Sequence, residues 1–379
     1  MLKQTIEKCH EHDIDLHLLF VDYKQAFDRL KRRELYRILK ETTPRKLQRL
    51  IKMTLNNSRV SVRTPTGRTA PFQIDGGVRQ GDALSAALFN LVINKIIRVI
   101  GCEGLITNKE VEIIAYADDV VIVSRSRKRL MEIFREMARE AEKMGLKVNA
   151  SKTKYMKCNR NETHVRSSLE VDRYEMEEVD TFCYLGVMID RTGKRGEDLE
   201  RRIKTGNRVF HANKKTLKSK QLARGTKLKI YRTLIRPVVT YAAETLCLSE
   251  AEEERLRIFE RKVLRTILGP MREANDELRR RMNCEIEEAM NGEDIVKIVK
   301  AQRISWLGHV MRKSNTSAIK EITLWKPSET RARGRPRVRW WDQVMQDLKT
   351  MNVNGWREKV DDRKGWRSIV EAAKRYTGL

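Results

Sequence analysis

The sequence predicts an α+β chain in which an N-terminal half of short strands and amphipathic helices is followed by a helical, strongly basic C-terminal half. Three observations carry this. Strand-like apolar runs stand at 16–21 and on both sides of Asp118-Asp119. Residues at helical spacing fill the stretches between, and beyond Asp190 helical periodicity dominates, studded with lysine and arginine.

At 379 residues and 40% hydrophobic composition, the chain can bury a sizeable core and form two or three domains. Charged residues make up 35%, against an ordinary share of about 25%, and the formal net charge is +27. Such an excess points to a polyanionic partner, nucleic acid first, with a ribosomal-type or membrane-surface role as the alternatives. No apolar run approaches the ~20 residues of a membrane span, and 1–13 is polar, so the expectation is an intracellular protein, nuclear or cytoplasmic, not secreted and with no membrane partner. Cys9, Cys102, Cys158, Cys183, Cys247 and Cys284 form no CxxC pair, which fits reduced thiols and no structural zinc.

Taken in order, Leu16, Leu18 and Phe20 alternate with Asp15, His17 and Leu19 and predict a strand ending at Val21-Asp22. Leu35, Ile38 and Leu39 predict a helix, for which Asp28 is the expected N-cap. A helix over Arg45–Asn56 would bury Leu47, Leu50, Ile51 and Leu55. A hairpin over Ser58–Asp75 should turn at Thr64-Pro65-Thr66-Gly67. Gly76-Gly77 and Gly81 make an elbow where main chain can approach a ligand closely. Leu84, Leu88, Leu91 and Val92 then mark a helix capped by Asp82.

Val111–Ser124, VEIIAYADDVVIVS, reads as a hairpin with Asp118 and Asp119 at its tip. Arg127–Met144 is an amphipathic helix burying Leu130, Ile133, Phe134 and Met137. A strand runs through Tyr155-Met156, and another over Phe182–Ile189 turns at Tyr184-Leu185-Gly186. Beyond Asp190, Arg195, Arg201, Arg202, Lys204, Arg208, Lys214, Lys215, Lys218, Lys220, Arg224, Lys227 and Lys229 crowd helices whose core face is thin. Leu228–Arg236, stopped by Pro237, and Glu250–Leu268 continue as helices. The Arg/Pro-rich stretch at 326–339 is a linker, and Trp340, Trp341, Trp356 and Trp366 anchor a small helical tail.

Adjacent aspartates repel, and oxygen-only ligands suit a hard divalent ion such as Mg²⁺. A plain surface turn is the competing interpretation of Asp118-Asp119. The second acid block shifts the balance, because a carboxylate at a strand end, Asp22, facing a hairpin with two more is what a metal pair needs for in-line phosphoryl displacement.

The blocks Phe20-Val21-Asp22-Tyr23-Lys24-Gln25-Ala26-Phe27-Asp28, Gly77-Val78-Arg79-Gln80-Gly81-Asp82 and Tyr116-Ala117-Asp118-Asp119 resemble, in order, the palm motifs of reverse transcriptases. Gly145-Leu146-Lys147-Val148-Asn149 with Lys152-Thr153, and Tyr184-Leu185-Gly186, continue the likeness, which is nearest the non-LTR retrotransposon group, RTE-like. The resemblance spans roughly 10–190. It departs from a common family pattern at Ala83 and Ala86, where proline is frequent; alanine, a strong helix former, should be tolerated there.

The resemblance implies a polymerase palm, an antiparallel sheet packed on helices, with partial fingers over 1–190. A basic helical thumb over 191–325, the linker 326–339 and a small helical domain over 340–379 would follow. It implies Asp22, Asp118 and Asp119 as catalytic acids holding two Mg²⁺ ions, with Mn²⁺ as a substitute. Tyr23, Phe27, Gln80, Gly81 and Lys152 would face the nucleotide, and Tyr184, Leu185 and Gly186 the primer end. Phe27, five residues after Asp22, would gate against a 2′-hydroxyl, although a core phenylalanine also fits that position, as a loop lysine fits Lys152.

The implied partners are an RNA template, a DNA primer and deoxynucleoside triphosphates. The implied activity is RNA-directed DNA polymerisation by two-metal nucleotidyl transfer. A truncated, inactive or domesticated fragment that binds RNA or DNA is the alternative, and an RNA-templated RNA polymerase a third. With only about twenty residues before Asp22 and no room for an endonuclease, the expectation is the C-terminal part of a longer element product.

Overall fold

The computed structural model describes residues 1–101, 111–159, 167–193, 196–274, 276–327 and 339–379. Most of the expected linker, Arg195 and Cys102 therefore lie outside the described residues. The chain divides into two compact units, one of His12–Gly193 with Leu2, the other of Met1, Lys3–Glu11 and Lys194–Leu379. Helix α1 (Leu2–Glu11) opens the chain and packs with the second unit.

The first unit is built on β1 (Leu16–Val21). Short α2 (Ala26–Arg29), α3 (Arg32–Thr42) and α4 (Arg45–Leu55) follow, then two small two-stranded ladders, β2 (Arg59–Val60) with β5 (Phe72–Gln73) and β3 (Arg63–Thr64) with β4 (Gly67–Arg68). The β3–β4 turn falls at Pro65-Thr66, as the sequence predicts. Next come α5 (Ala83–Val99), β6 (Val111–Tyr116), β7 (Asp119–Ser124), α6 (Arg127–Lys143), β8 (Lys154–Cys158), β9 (Leu169–Val171), β10 (Tyr174–Glu178), β11 (Thr181–Tyr184) and β12 (Val187–Asp190).

Six strands form one sheet in the order β6-β7-β1-β8-β10-β9, antiparallel except for the β8–β10 pair. One face packs on α3, α5 and α6 through Leu19, Val21, Val120 and Ile122 against Leu35, Leu88, Phe89, Ile133 and Phe134.

The alternation in β1 suggests a half-buried strand, yet all six residues are buried. His17 is tolerated because Nδ1 shares a 2.6 Å hydrogen bond with the Tyr155 hydroxyl, and burial lowers its imidazole pKa to about 4, keeping it neutral.

Two capping expectations separate here. Asp82 does cap α5, its carboxylate accepting from the Leu84 amide at 3.1 Å. Asp28 does not cap α3: it lies inside α2, and Lys31 occupies the N-cap without a side-chain bond. The extra turn of α2 consumes the residues the cap would have used. On α4 only Ile51 and Leu55 are buried while Leu47 and Leu50 are exposed, so its apolar stripe is only partly covered within the described residues.

The second unit contains α7 (Gly196–Lys218), α8 (Arg224–Ile230), a wide π turn over Tyr231–Ile235, α9 (Arg236–Val239) and α10 (Glu250–Leu268). A small ladder of β13 (Met271–Arg272) and β14 (Leu278–Arg279) leads into α11 (Asn283–Ala289), α12 (Ile295–Met311) and α13 (Ala318–Leu324). The last helices are α14 (Trp340–Thr350), α15 (Trp356–Lys359) and α16 (Arg363–Ala373).

The bounds of α10 match the sequence pattern, and Ser249 and Glu252 form a capping box. Pro237, expected to stop a helix, instead sits in the first turn of α9, where a missing N–H costs nothing. Two residues of this charge run are buried. Arg202 pairs with Asp198 at 3.0 Å and donates to the Tyr241 carbonyl, and Lys227 is 8% exposed.

Trp340, Val344, Leu348 and Trp366 share a core with Ala301, Ile304 and Leu307 of α12. Residues of α1 join the same unit: Lys8 Nζ donates to the Thr323 carbonyl at 2.9 Å, and Glu11 pairs with Arg339 at 2.9 Å. No helix among the described residues is long and apolar enough to cross a membrane.

Candidate active site

The β6–β7 connection is a two-residue turn of Ala117 and Asp118, closed by the Tyr116–Asp119 pair. Ala117 adopts φ 53°, a region that L-residues visit at a cost of about 1–3 kcal/mol and that persists only where surroundings impose it. One such restraint is Asn90 on α5, whose Oδ1 accepts from the Ala117 amide at 3.2 Å.

The antiparallel register places Val21 against Val120, so Asp22 follows where β1 ends and Asp119 stands where β7 begins, near enough for the Asp22 charge to act on Asp119. Asp22 is itself tied down. Its amide donates to Thr153 Oγ1 at 3.2 Å, its carbonyl accepts from the Asn149 amide at 2.8 Å, and its Oδ2 accepts from Asn149 Nδ2 at 3.0 Å. The Tyr23–Val148 bridge and a 2.8 Å bond from the Lys24 amide to the Lys147 carbonyl complete this seam.

A third segment reaches the same place. The β11–β12 hairpin turns at Leu185-Gly186 with φ 47° and 75°, and Tyr184 donates its hydroxyl to the Asp119 carbonyl at 3.4 Å. Phe20 stacks on Phe182 at 4.2 Å, seating that hairpin on β1. Burial, with the nearby Asp119 carboxylate, holds the Tyr184 hydroxyl in its neutral form well above the usual phenol range.

The carboxyl of Asp119 is shifted above its ordinary value by desolvation first, then by the negative charges of Asp118 and Asp22. None of the three acids has a lysine or arginine partner among the described residues. Uncompensated carboxylates offering only oxygen suit a hard divalent cation. Among the described residues no three His, Cys, Asp or Glu side chains are grouped so that they could hold a metal ion; the three acids lie near one another without forming a ready ligand set.

The other sequence-predicted residues fall in different surroundings. Tyr23 is buried in the core with its hydroxyl unpartnered, so its side chain is not presented to a ligand. Phe27 packs at the core edge, stacked on Phe89 at 4.9 Å. Gln80, Gly81 and Lys152 are exposed; Lys152 sits in the turn that starts at Asn149, the residue holding Asp22.

The glycine elbow is clamped onto the segment after Phe27. The Val78 amide donates to the Phe27 carbonyl at 2.8 Å, and a Cβ at Gly77, φ 71°, would stand 2.6 Å from the Asp28 carbonyl oxygen. Arg32 binds the Gly77, Leu55 and Ile74 carbonyls at 2.7–2.9 Å. Nothing in the local pattern singles out Asn90, the Asn149 carboxamide or Arg32, whose partners lie far along the chain.

A strand-end carboxylate near a hairpin carrying two more, on a sheet backed by helices, is the layout of a polymerase palm. Residues 1–189 match the family described as reverse transcriptase (RNA-dependent DNA polymerase), and through them the chain belongs to the reverse transcriptase family.

Similar relatives include an uncharacterized transposon-derived protein of Caenorhabditis elegans, 25% identical over 67% of this chain and 93% of that protein. The RNA-directed DNA polymerase from the mobile element jockey of Drosophila funebris is 25% identical over 66% of this chain, which spans only 28% of that polymerase. Telomerase from Candida tropicalis, in complex with the TWJ fragment of telomeric RNA, is 14% identical at a TM-score of 0.41, covering 87% of this chain and 52% of that one, too loose a fit to carry an argument.

Proposed function

We propose that this chain is an RNA-directed DNA polymerase module of the non-LTR retrotransposon kind, acting on an RNA template, a DNA primer and deoxynucleoside triphosphates. The observation that carries the reading is the Val21–Val120 register, which brings the end of β1 that carries Asp22 beside the Asp118-Asp119 turn. We assign the palm role to residues up to 190, the thumb role to 191–325 and a small helical role to 340–379.

Two magnesium ions, or manganese in their place, held by Asp22, Asp118 and Asp119 would supply electrostatic stabilisation of the attacking and departing oxygens. The chain's own groups do the positioning. Asn149 fixes the Asp22 carboxylate in one orientation, and Asn90 holds the Asp118 turn. Tyr184, tied to Asp119, carries Leu185 and Gly186 to the primer end. Gln80 and Gly81 would lie against the template base and nucleotide, Phe27 under the sugar, and Lys152 near the leaving pyrophosphate. Exposed Lys204, Arg208, Lys215 and Lys218 of α7 suit duplex phosphates.

The test is primer extension on polyriboadenylate with oligodeoxythymidylate and Mg²⁺. Incorporation of dTTP, with little of UTP, is the expected result. Absence of extension alongside retained RNA binding would instead mark a binding fragment.

A further inference from the structure

The C-terminal end of α10 and the segment between β14 and α11 enclose an open cup of about 750 Å³, lined by Ile258, Arg261, Lys262, Arg265, Arg280, Arg281, Met282 and Asn283. Five of these eight side chains are cations. Among the described residues Glu254 forms the one ion pair with them, through Arg261, and Glu285, bonded to Arg279, also feels the charge of Arg281.

Three of the remaining four cations are held by neutral groups. Lys262 bonds Asn207 Oδ1 at 3.0 Å, and Arg265 donates to the Arg281 carbonyl at 3.1 Å and to Asn283 Oδ1 at 2.6 Å. Arg281 Nε donates to the Gly269 carbonyl at 3.1 Å. Arg280 is exposed, with no side-chain hydrogen bond or ion pair among the described residues. These bonds hold the Arg265 and Arg281 guanidiniums in place through neutral partners. The guanidinium of Arg265 is pushed below its usual value by desolvation, then by Arg280 and Arg261, so like charges converge here.

The same acid-poor cup carries two large apolar side chains in the open. Ile258 is 57% and Met282 56% exposed, side chains that soluble surfaces ordinarily cover or avoid when clustered. Fixed cations interleaved with apolar surface suit phosphates linked by sugars and bases better than a free phosphate or a uniformly anionic surface.

We propose that this cup binds the phosphodiester backbone of a single nucleic-acid strand, with Lys262, Arg265, Arg280 and Arg281 on the phosphates and a sugar or base against Ile258 and Met282. The site takes no residue from the acid site and does not depend on polymerase activity.

The test uses the full chain and a 20-nucleotide polyuridylate, with polythymidylate and a DNA duplex as further arms, read by fluorescence anisotropy between 50 and 300 mM salt. Lys262→Glu/Arg280→Glu is expected to weaken binding of both single strands about tenfold or more. The slope of log K against log salt should fall by about 1.4, or ~0.7 for each phosphate no longer neutralised. Lys349→Glu/Lys359→Glu, which changes net charge equally at positions outside the cup, should cost far less. The milder Lys262→Ala/Arg280→Ala should move affinity in the same direction and guards against a folding effect of charge reversal.

Equal loss in the two charge-reversal variants would overturn the site in favour of non-specific charge. Unchanged slopes, a loss confined to the duplex, or displacement of the RNA by polyglutamate at equal charge would also overturn it.

Discussion

Asp118→Asn/Asp119→Asn is expected to lower primer extension roughly a thousandfold or more, while leaving the unfolding midpoint and salt-sensitive RNA binding near those of the parent chain. The substitutions are isosteric. They remove two charges from a site where three carboxylates lack any lysine or arginine partner among the described residues and where Asp118 and Asp22 disfavour the charged form of Asp119. Relief of that repulsion should leave stability unchanged or slightly raised, so lost extension cannot be ascribed to misfolding. Equal extension by both proteins would remove these residues from the chemistry.

The largest stability effect is expected at Asp347 in the second unit. Its carboxylate accepts from Arg303 Nη2 at 2.7 Å, and Arg303, 1% exposed, also donates to the Leu246 carbonyl and to Gln343. Desolvation outweighs the nearby guanidinium and shifts the Asp347 carboxyl above its ordinary value, so the pair gains little net energy from its own attraction.

Breaking it differs from lacking it. Asp347→Ala leaves a buried guanidinium unpaired at a cost of about 3–5 kcal/mol, whereas Arg303→Met/Asp347→Leu should cost far less. Thermal unfolding followed by circular dichroism measures both. A single variant as stable as the parent chain would show that Arg303 finds another partner or reaches water.

Much of the site was legible because its information is local. The Asp118 hairpin, the Asp82 cap and helix α10 each depend on residues near one another along the chain, and each stands where the pattern put it. What the pattern missed depends on partners far along the chain. Asp28 looks like a cap until the added turn of α2 is formed, and Arg202 looks like one more cation of the basic run until Asp198 and the Tyr241 carbonyl close around it. Asn90 on its helix and Arg32 at the start of α3 resemble ordinary surface polar residues. Their function appears only when the sheet brings the Ala117 turn to one and the glycine elbow to the other.

The central claim is that Asp22 and the Asp118–Asp119 turn share bound cations. Equilibrium Mn²⁺ binding, read by electron paramagnetic resonance with primer–template and a non-extendable nucleotide present, measures this directly. Asp22→Asn alone is expected to weaken Mn²⁺ binding about tenfold or more, comparably to Asp118→Asn, because carboxylate oxygens from both segments complete the ligand set of a hard cation. Binding by Asp22→Asn indistinguishable from the parent chain, with loss only in the turn variant, would contradict it.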